Sequence, residues 1–208
     1  MSVEFIHCTP DAERLIVKIA RVSNPTNEDN WDTGPNLLRY LIKHRHWSPL
    51  EMASLCVKIQ TERDIAAQIL RHRSFSFQEF SSRYSPMDPA VVPAFRRQGE
   101  TNRQSSRDDL PEADELRFRS AAAQVLGKAY GVYEAMLLQG VARETARRIL
   151  PLCTPTTLYA HATLRSWIHY IQLRTAEDTQ LEHREIAEQC KAIFTEHFPI
   201  IAEAAFHD

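Results

Sequence analysis

Between residues 54 and 60 the chain alternates. Leu55, Val57 and Ile59 are apolar, and Ser54, Cys56, Lys58 and Gln60 stand between them. That period of two predicts a strand with one buried face. Most of the remaining apolar residues recur at helical spacing, so the sheet this strand belongs to must be covered by helices. The expected class is α+β, helix-rich, with a modest and mainly antiparallel sheet.

The other elements follow from periodicity and caps. Val3 to Ile6 predicts a short opening strand. Thr9-Pro10 predicts a helix start, with Leu15, Ile16, Ile19 and Ala20 inward. Asn24 to Gly34 reads as a polar loop, and Leu37, Leu38, Leu41 and Ile42 mark a second helix. Ser48-Pro49-Leu50-Glu51 has capping-box spacing. Thr61 with Asp64 predicts another cap, for a helix running through Ile65 to Leu70 into Arg71-His72-Arg73. Residues 86–111 hold four prolines and predict a long loop or insertion. A long helix is expected over Glu112 to Leu138, its core stripe Leu116, Val125, Leu126, Ala129, Tyr133 and Leu137, ended by Gly140. A short helix follows from Arg143 to Leu150. Thr156 to Thr163 predicts a strand, and 165–174, 180–197 and 199–206 predict helices. At 208 residues the chain fits one domain.

Several function classes are excluded by what is missing. The net charge is −2, against a general nucleic-acid coat. No apolar run reaches the ~20 residues of a membrane span. Met1 to Pro10 shows no signal-peptide pattern, so the cytoplasm is the expected compartment. With 5 glycines, the chain has no dinucleotide fingerprint and no P-loop. Cys8, Cys56, Cys153 and Cys190 match no zinc spacing. His44 and His46 are two apart, where a helical zinc pair wants four, so no metal is expected.

The positive signal is arginine. The chain has 20 Arg and 5 Lys, and Arg grips phosphate and carboxylate as a planar fork. Asp64, Gln68 and Arg71 would share a helix face. Arg73, Glu79, Ser81 and Arg83 follow, interleaved with Phe75, Phe77, Phe80 and Tyr84, which offer faces to a flat ring. The cluster is either a phosphate and ring site or a solvated helix end tied by local salt bridges. Arg143 and Arg147 would stack four apart, with Glu144 the one acid between them. Arg147 and Arg148 could lower the Cys153 thiol pKa, although a small buried residue is the simpler reading. Ser81 and Ser82 have no nearby base to make them nucleophiles.

Arg71-His72-Arg73, seven residues and then Ser81 reproduce the R-H-R-x7-S signature of the flavin-dependent thymidylate synthases. Glu79, Arg83 and Tyr84 extend it. Ala20-Arg21-Val22-Ser23, His46 to Glu51, Ala146 to Leu152, and Leu164-Arg165-Ser166 with Leu173-Arg174 are similar to further ordered segments of that family. Only about residues 88–111 lie outside the likeness.

The resemblance implies the thymidylate synthase-complementing fold. It implies reductive methylation of dUMP to dTMP, with methylenetetrahydrofolate as carbon donor and NADPH reducing a bound FAD. It also implies a homotetramer with active sites at subunit interfaces. Carried over by motif, Gln68, Arg71, Glu79, Ser81, Arg83, Arg147 and Arg174 would bind dUMP, with Arg174 the catalytic group favouring ionisation at the uracil N3. Ser23, Ser48, Glu51, Arg71, His72, Arg73, Glu79, Thr163, Arg165 and His169 would contact FAD, Ser23 and Glu51 from neighbouring subunits. Thr163 and His169 stand where the family often has Asn, and Asp178 where it often has His. Two other readings stay below this one: a single-stranded nucleic-acid module using the Arg and aromatic side chains, and a non-catalytic helical assembly protein.

Overall fold

The computed structural model describes residues 1–206. Its chain order is β1 (Ser2–Cys8), α1 (Ala12–Ala20), α2 (Gly34–Lys43), β2 (Ser54–Glu62), α3 (Arg63–Ile69), β3 (Ser76–Glu79), β4 (Arg97–Gln98), β5 (Ser106–Arg107), α4 (Glu112–Leu138), α5 (Arg143–Ala146), β6 (Pro155–Thr163), α6 (Leu164–Arg174), α7 (Leu181–His197) and α8 (Pro199–Phe206). Four strands form one sheet in the order β1-β2-β6-β3, every neighbouring pair antiparallel.

The alternation in β2 does what its pattern demands. Leu55, Val57 and Ile59 are fully buried, and Leu158, Ala160 and Ala162 of β6 join them on the same face. Cys56 departs from the expectation: it is on the other face yet only 8% exposed. Helices α6, α7 and α8 and the first helices close the core with Trp167, Ile171, Ile186, Phe194, Ile16 and Leu38. Trp167 is fully buried, and its Nε1–H donates to the Leu55 carbonyl at 2.9 Å, pinning α6 to β2. A buried indole needs such an acceptor.

Three predicted caps do not form. Thr9 does not cap α1, whose N-cap is Asp11 in the left-handed region. Its Oγ1 accepts from the Ser54 N–H at 3.0 Å instead and prolongs the β1–β2 contact. Ser48 opens a 3₁₀ turn over Ser48–Met52 without capping it. Thr61 stays in β2, its Oγ1 buried and unpaired. The unforeseen cap is Thr163, whose Oγ1 accepts from the Ser166 N–H at the start of α6. At Thr9 a long-range partner outcompetes the local hydrogen bond.

Two further differences concern the middle of the chain. Ser76–Glu79 forms strand β3 against β6, in a stretch too polar to show alternation. Helix α4 has the predicted bounds, and Gly140 ends the turn beyond it at φ +78°, where a side chain would be strained. Its predicted core stripe is not buried: Tyr133 alone is inaccessible, while Leu116 and Val125 are 61% and 67% exposed. Residues 86–111 carry only the β4–β5 pairing. Their anchor is Met87, buried beside Tyr133, whose hydroxyl accepts from the Met87 N–H at 3.1 Å.

Removing that acceptor strands a buried N–H, which costs about 1–3 kcal/mol. Tyr133→Phe should therefore accelerate limited proteolysis within residues 88–110 while leaving the circular dichroism of the core unchanged. Equal cleavage rates would show that the anchor lies elsewhere.

Candidate active site

The predicted site residues fall into three groups. The first sits where β6 becomes α6. Thr163 Oγ1 donates to Glu51 Oε2 at 2.7 Å, and Arg165 pairs with Glu51 Oε1 at 2.6 Å. The Thr163 hydrogen bond, and then Arg165, hold the Glu51 carboxyl below its ordinary range. Trp47, Ser74, Ser166, Ile168, His169 and Gln172 complete a cavity of about 500 Å³ with these three. An apolar wall of Trp47 and Ile168 thus faces a rim of hydroxyls and a half-exposed guanidinium. Ser48 lies in the adjoining 3₁₀ turn.

The second group joins the turn after α3 to the end of α6. Helix α3 stops at Ile69, so Arg71, His72 and Arg73 lie beyond it and Arg71 does not continue its face. Arg71 and Arg73 are exposed. The His72 N–H donates to the Ile69 carbonyl and its carbonyl accepts from the Phe75 N–H, which fixes the turn. Arg174 Nε–H then donates to His72 Nε2 at 2.9 Å. Burial, then the Arg174 charge and His169, push His72 down to about 4. His169 thereby links this group to the first.

The third group lies around the loop after β3. Arg147 donates to Ser82 Oγ at 2.8 Å, and Arg83 pairs with Glu144 at 3.3 Å. Ser81, Arg83, Tyr84 and Arg143 line a cavity of about 420 Å³ with Ala142 and Glu144. The expected stack of Arg143 and Arg147 on one α-helix does not form, because α5 ends at Ala146 and a 3₁₀ turn carries Arg147.

Glu79 orders neither Arg71 nor Arg83. It accepts from Thr156 Oγ1 at 3.0 Å and faces Arg63 Nη1 at 3.5 Å. Gln68 donates to Gln180 Oε1 at 2.7 Å. Ser23 is exposed after α1 and lines none of these cavities. Its neighbour Arg21 is buried, and its guanidinium holds the Asn27 and Asn30 carbonyls and Thr33 Oγ1. Arg21 therefore shapes the loop after Ser23. Burial and then Glu62 raise the Cys153 thiol pKa, against the lowering that Arg147 and Arg148 were expected to cause.

Sequence reasoning missed His183. It is fully buried with both ring nitrogens unpaired, 6.5 Å from the His72 ring and 5.8 Å from Tyr170. The signal was available, because His183, Ile186, Ala187, Cys190 and Phe194 make one helical stripe on α7.

The charges are unevenly matched. Among the described residues, Arg71, Arg73, Arg147 and Arg174 have no carboxylate partner, whereas Arg39 and Arg96 each have one and Arg107 has two. Several unmatched guanidiniums on adjoining elements repel one another unless anions lie between them.

Comparisons with known proteins follow the same line. A family model described as thymidylate synthase complementing protein matches residues 4–200. The chain is 48% identical over 194 residues to the probable flavin-dependent thymidylate synthase of Paramecium bursaria Chlorella virus 1, covering 93% of this chain and 90% of that one. It is 48% identical over 195 residues to the flavin-dependent thymidylate synthase of Synechocystis sp., covering 92% and 88%. A crystal structure of the UMP/dUMP methylase PolB from Streptomyces cacaoi bound with 5-Br dUMP superposes with a TM-score of 0.87 at 28% identity, over 98% of this chain and 93% of that one.

Burial lowers His183 to about 3, with Arg174 and then His72 adding to the shift. A folded pKa below the ordinary 6.5 means that the unfolded chain takes up the proton first. This stability is present above about 6.5 and is lost as pH falls toward 3. His183→Leu should flatten that part of the urea-midpoint profile and leave or raise stability at pH 7. An unchanged acid limb would show that His183 is not the group responsible.

Proposed function

The chain belongs to the thymidylate synthase complementing protein family, and we propose that it is a flavin-dependent thymidylate synthase forming dTMP from dUMP. The observation that carries this reading is the set of arginines without acids, at the positions where the family motif puts its ligands. A nucleotide monophosphate and a dinucleotide diphosphate supply the anions those side chains lack. The relative from Streptomyces cacaoi holds a brominated dUMP on the same fold.

In this reading Gln68, Arg71, Glu79, Ser81, Arg83 and Arg147 hold the phosphate and sugar of dUMP. Arg174 faces the uracil ring. Its charge stabilises negative charge spreading from N3 toward C5, and a guanidinium cannot lose its own proton in doing so. The carbon at C5 is then the more electron-rich partner for the one-carbon unit. That unit arrives from methylenetetrahydrofolate at the oxidation level of formaldehyde and ends as a methyl group. Two electrons are needed, and NADPH is their source.

FAD fits the residues present. The cavity beside α6 pairs the flat indole of Trp47 and the apolar Ile168 with Arg165, Thr163, Glu51, Ser166 and His169. Arg71, His72 and Arg73, just before Ser74, and Ser48 adjoin it on the chain, and Ser23 would reach from a neighbouring subunit; Glu51 pairs within this chain, and Glu79 lies at the other end of β6 with Thr156 and Arg63. When bound, the flavin supplies the hydride chemistry; the protein supplies position and field.

Assembly as a homotetramer is supported by α4. Phe118, Val125 and Val132 recur every seven residues and are each at least 43% exposed. A row of that kind needs a covering partner. Cytoplasmic residence and a single 1–208 domain complete the proposal. Among the described residues no helix is long and apolar enough to cross a membrane.

Arg174→Ala should abolish dTMP formation, by at least a hundredfold for a lost transition-state donor, while the variant retains flavin absorbance after gel filtration. Normal turnover would remove Arg174 from the chemistry. Saturating dUMP in phosphate-free buffer should raise the thermal midpoint of the wild-type protein by mass action. No shift would count against the nucleotide site.

A further inference from the structure

Arg174 is half-buried, and its one recorded polar partner among the described residues is an imidazole. That pairing is unusual. A carboxylate would orient a guanidinium more strongly, yet it would also cancel most of the charge. A neutral imidazole accepts one hydrogen bond, fixes one edge of the fork and leaves the charge intact.

The surroundings hold His72 in that form. Tyr170 meets its ring edge-on at 4.9 Å and Phe75 at 6.1 Å, with His183 behind at 6.5 Å. Tyr170 and His183 are buried, and burial drives the Tyr170 hydroxyl well above its ordinary range. The titratable groups facing His72 are thus Arg174, His169, His183 and Tyr170, with Cys190 beyond Tyr170. None supplies a negative charge that would favour an imidazolium. The acceptor at Nε2 places the ring proton on Nδ1.

We propose that His72 is a positioning residue for Arg174: its Nε2 accepts from Arg174 Nε, holding the guanidinium in register and leaving its Nη end to the substrate base. The inference rests on the reading of Arg174 given above. It also limits what else His72 does, because Nδ1–H is the one polar atom left for a flavin contact. The wall behind it explains His183, whose apolar stripe packs α7 against the pair. No bond is made or broken, so the role is geometric.

Two readouts test it on the holoenzyme. The first is the Arg174 Nε–H resonance in ¹⁵N-labelled protein, assigned by its loss in Arg174→Lys. It should exchange slowly with solvent in the wild type, lose protection in His72→Phe, and regain part of it in His72→Gln, which restores a neutral acceptor. The second is dUMP affinity in a double-mutant cycle. His72→Phe should weaken dUMP about tenfold or more, but less than threefold in the Arg174→Ala background, with both affinities measured at saturating FAD. His72→Ala replaces the Phe variant if that protein does not fold.

Persistent protection of the Nε–H in His72→Phe would overturn the proposal. So would an equal loss of dUMP affinity in both backgrounds, which would mean that His72 acts without Arg174. A wild-type protein that binds no dUMP would instead sink the proposed function, and the resonance would still decide whether His72 holds Arg174.

Discussion

The β2–β6 ladder organises everything else. Its register runs from Ser54 opposite Thr163 to Glu62 opposite Pro155. Both strands lead directly into helices, β2 into α3 and β6 into α6. Two antiparallel strands start their helices at opposite ends of the ladder. One end carries the Glu51, Thr163 and Arg165 group, and the other carries Glu79, Thr156 and Arg63. The far ends of α3 and α6 then meet at His72 and Arg174. A register slip of one residue would turn Leu55, Val57 and Ile59 out of the core and separate these groups at once.

Electrostatics divides the arginines into two populations. Arg39, Arg107, Arg117 and Arg119 pair with acids on exposed surface. Such pairs contribute little, since solvent screens them. Among the site arginines, Arg83 and Arg165 pair with Glu144 and Glu51, whereas Arg147 and Arg174 meet neutral acceptors, a serine hydroxyl and an imidazole. Neutral acceptors orient a cation without neutralising it. The fold therefore keeps positive charge available where an anionic nucleotide would sit, at a cost in self-repulsion that the ligand relieves.

Much of this was legible beforehand, for reasons that differ by residue. Strand β2 was readable because its two faces meet different environments. The bounds of α4 were readable from Pro111 before it and Gly140 beyond it. Strand β3 was not, because Ser76, Gln78 and Glu79 are polar and only Phe77 points toward the core. The α4 stripe was misplaced in the core because periodicity reports that a face is apolar and says nothing of what covers it. Ser48, Thr61 and Thr9 carried good local capping chemistry that the fold does not use: Thr9 turns to the Ser54 N–H, Ser48 opens a 3₁₀ turn, and Thr61 stays in the strand.

By itself the sequence determined the class of fold, the order of its helices and of strands β1, β2 and β6, and the set of residues able to hold anions and a flat ring. Those depend on side-chain type and spacing, which are local properties. Only the tertiary structure decided which of them meet. It sent Glu79 to Thr156 and Arg63, Glu51 to Thr163 and Arg165, and His72 to Arg174. It also buried His183 behind them. Apart from Glu79 and Arg63, these pairings join residues 77 to 114 positions apart. Strand register and helix packing set them, and no local pattern records either.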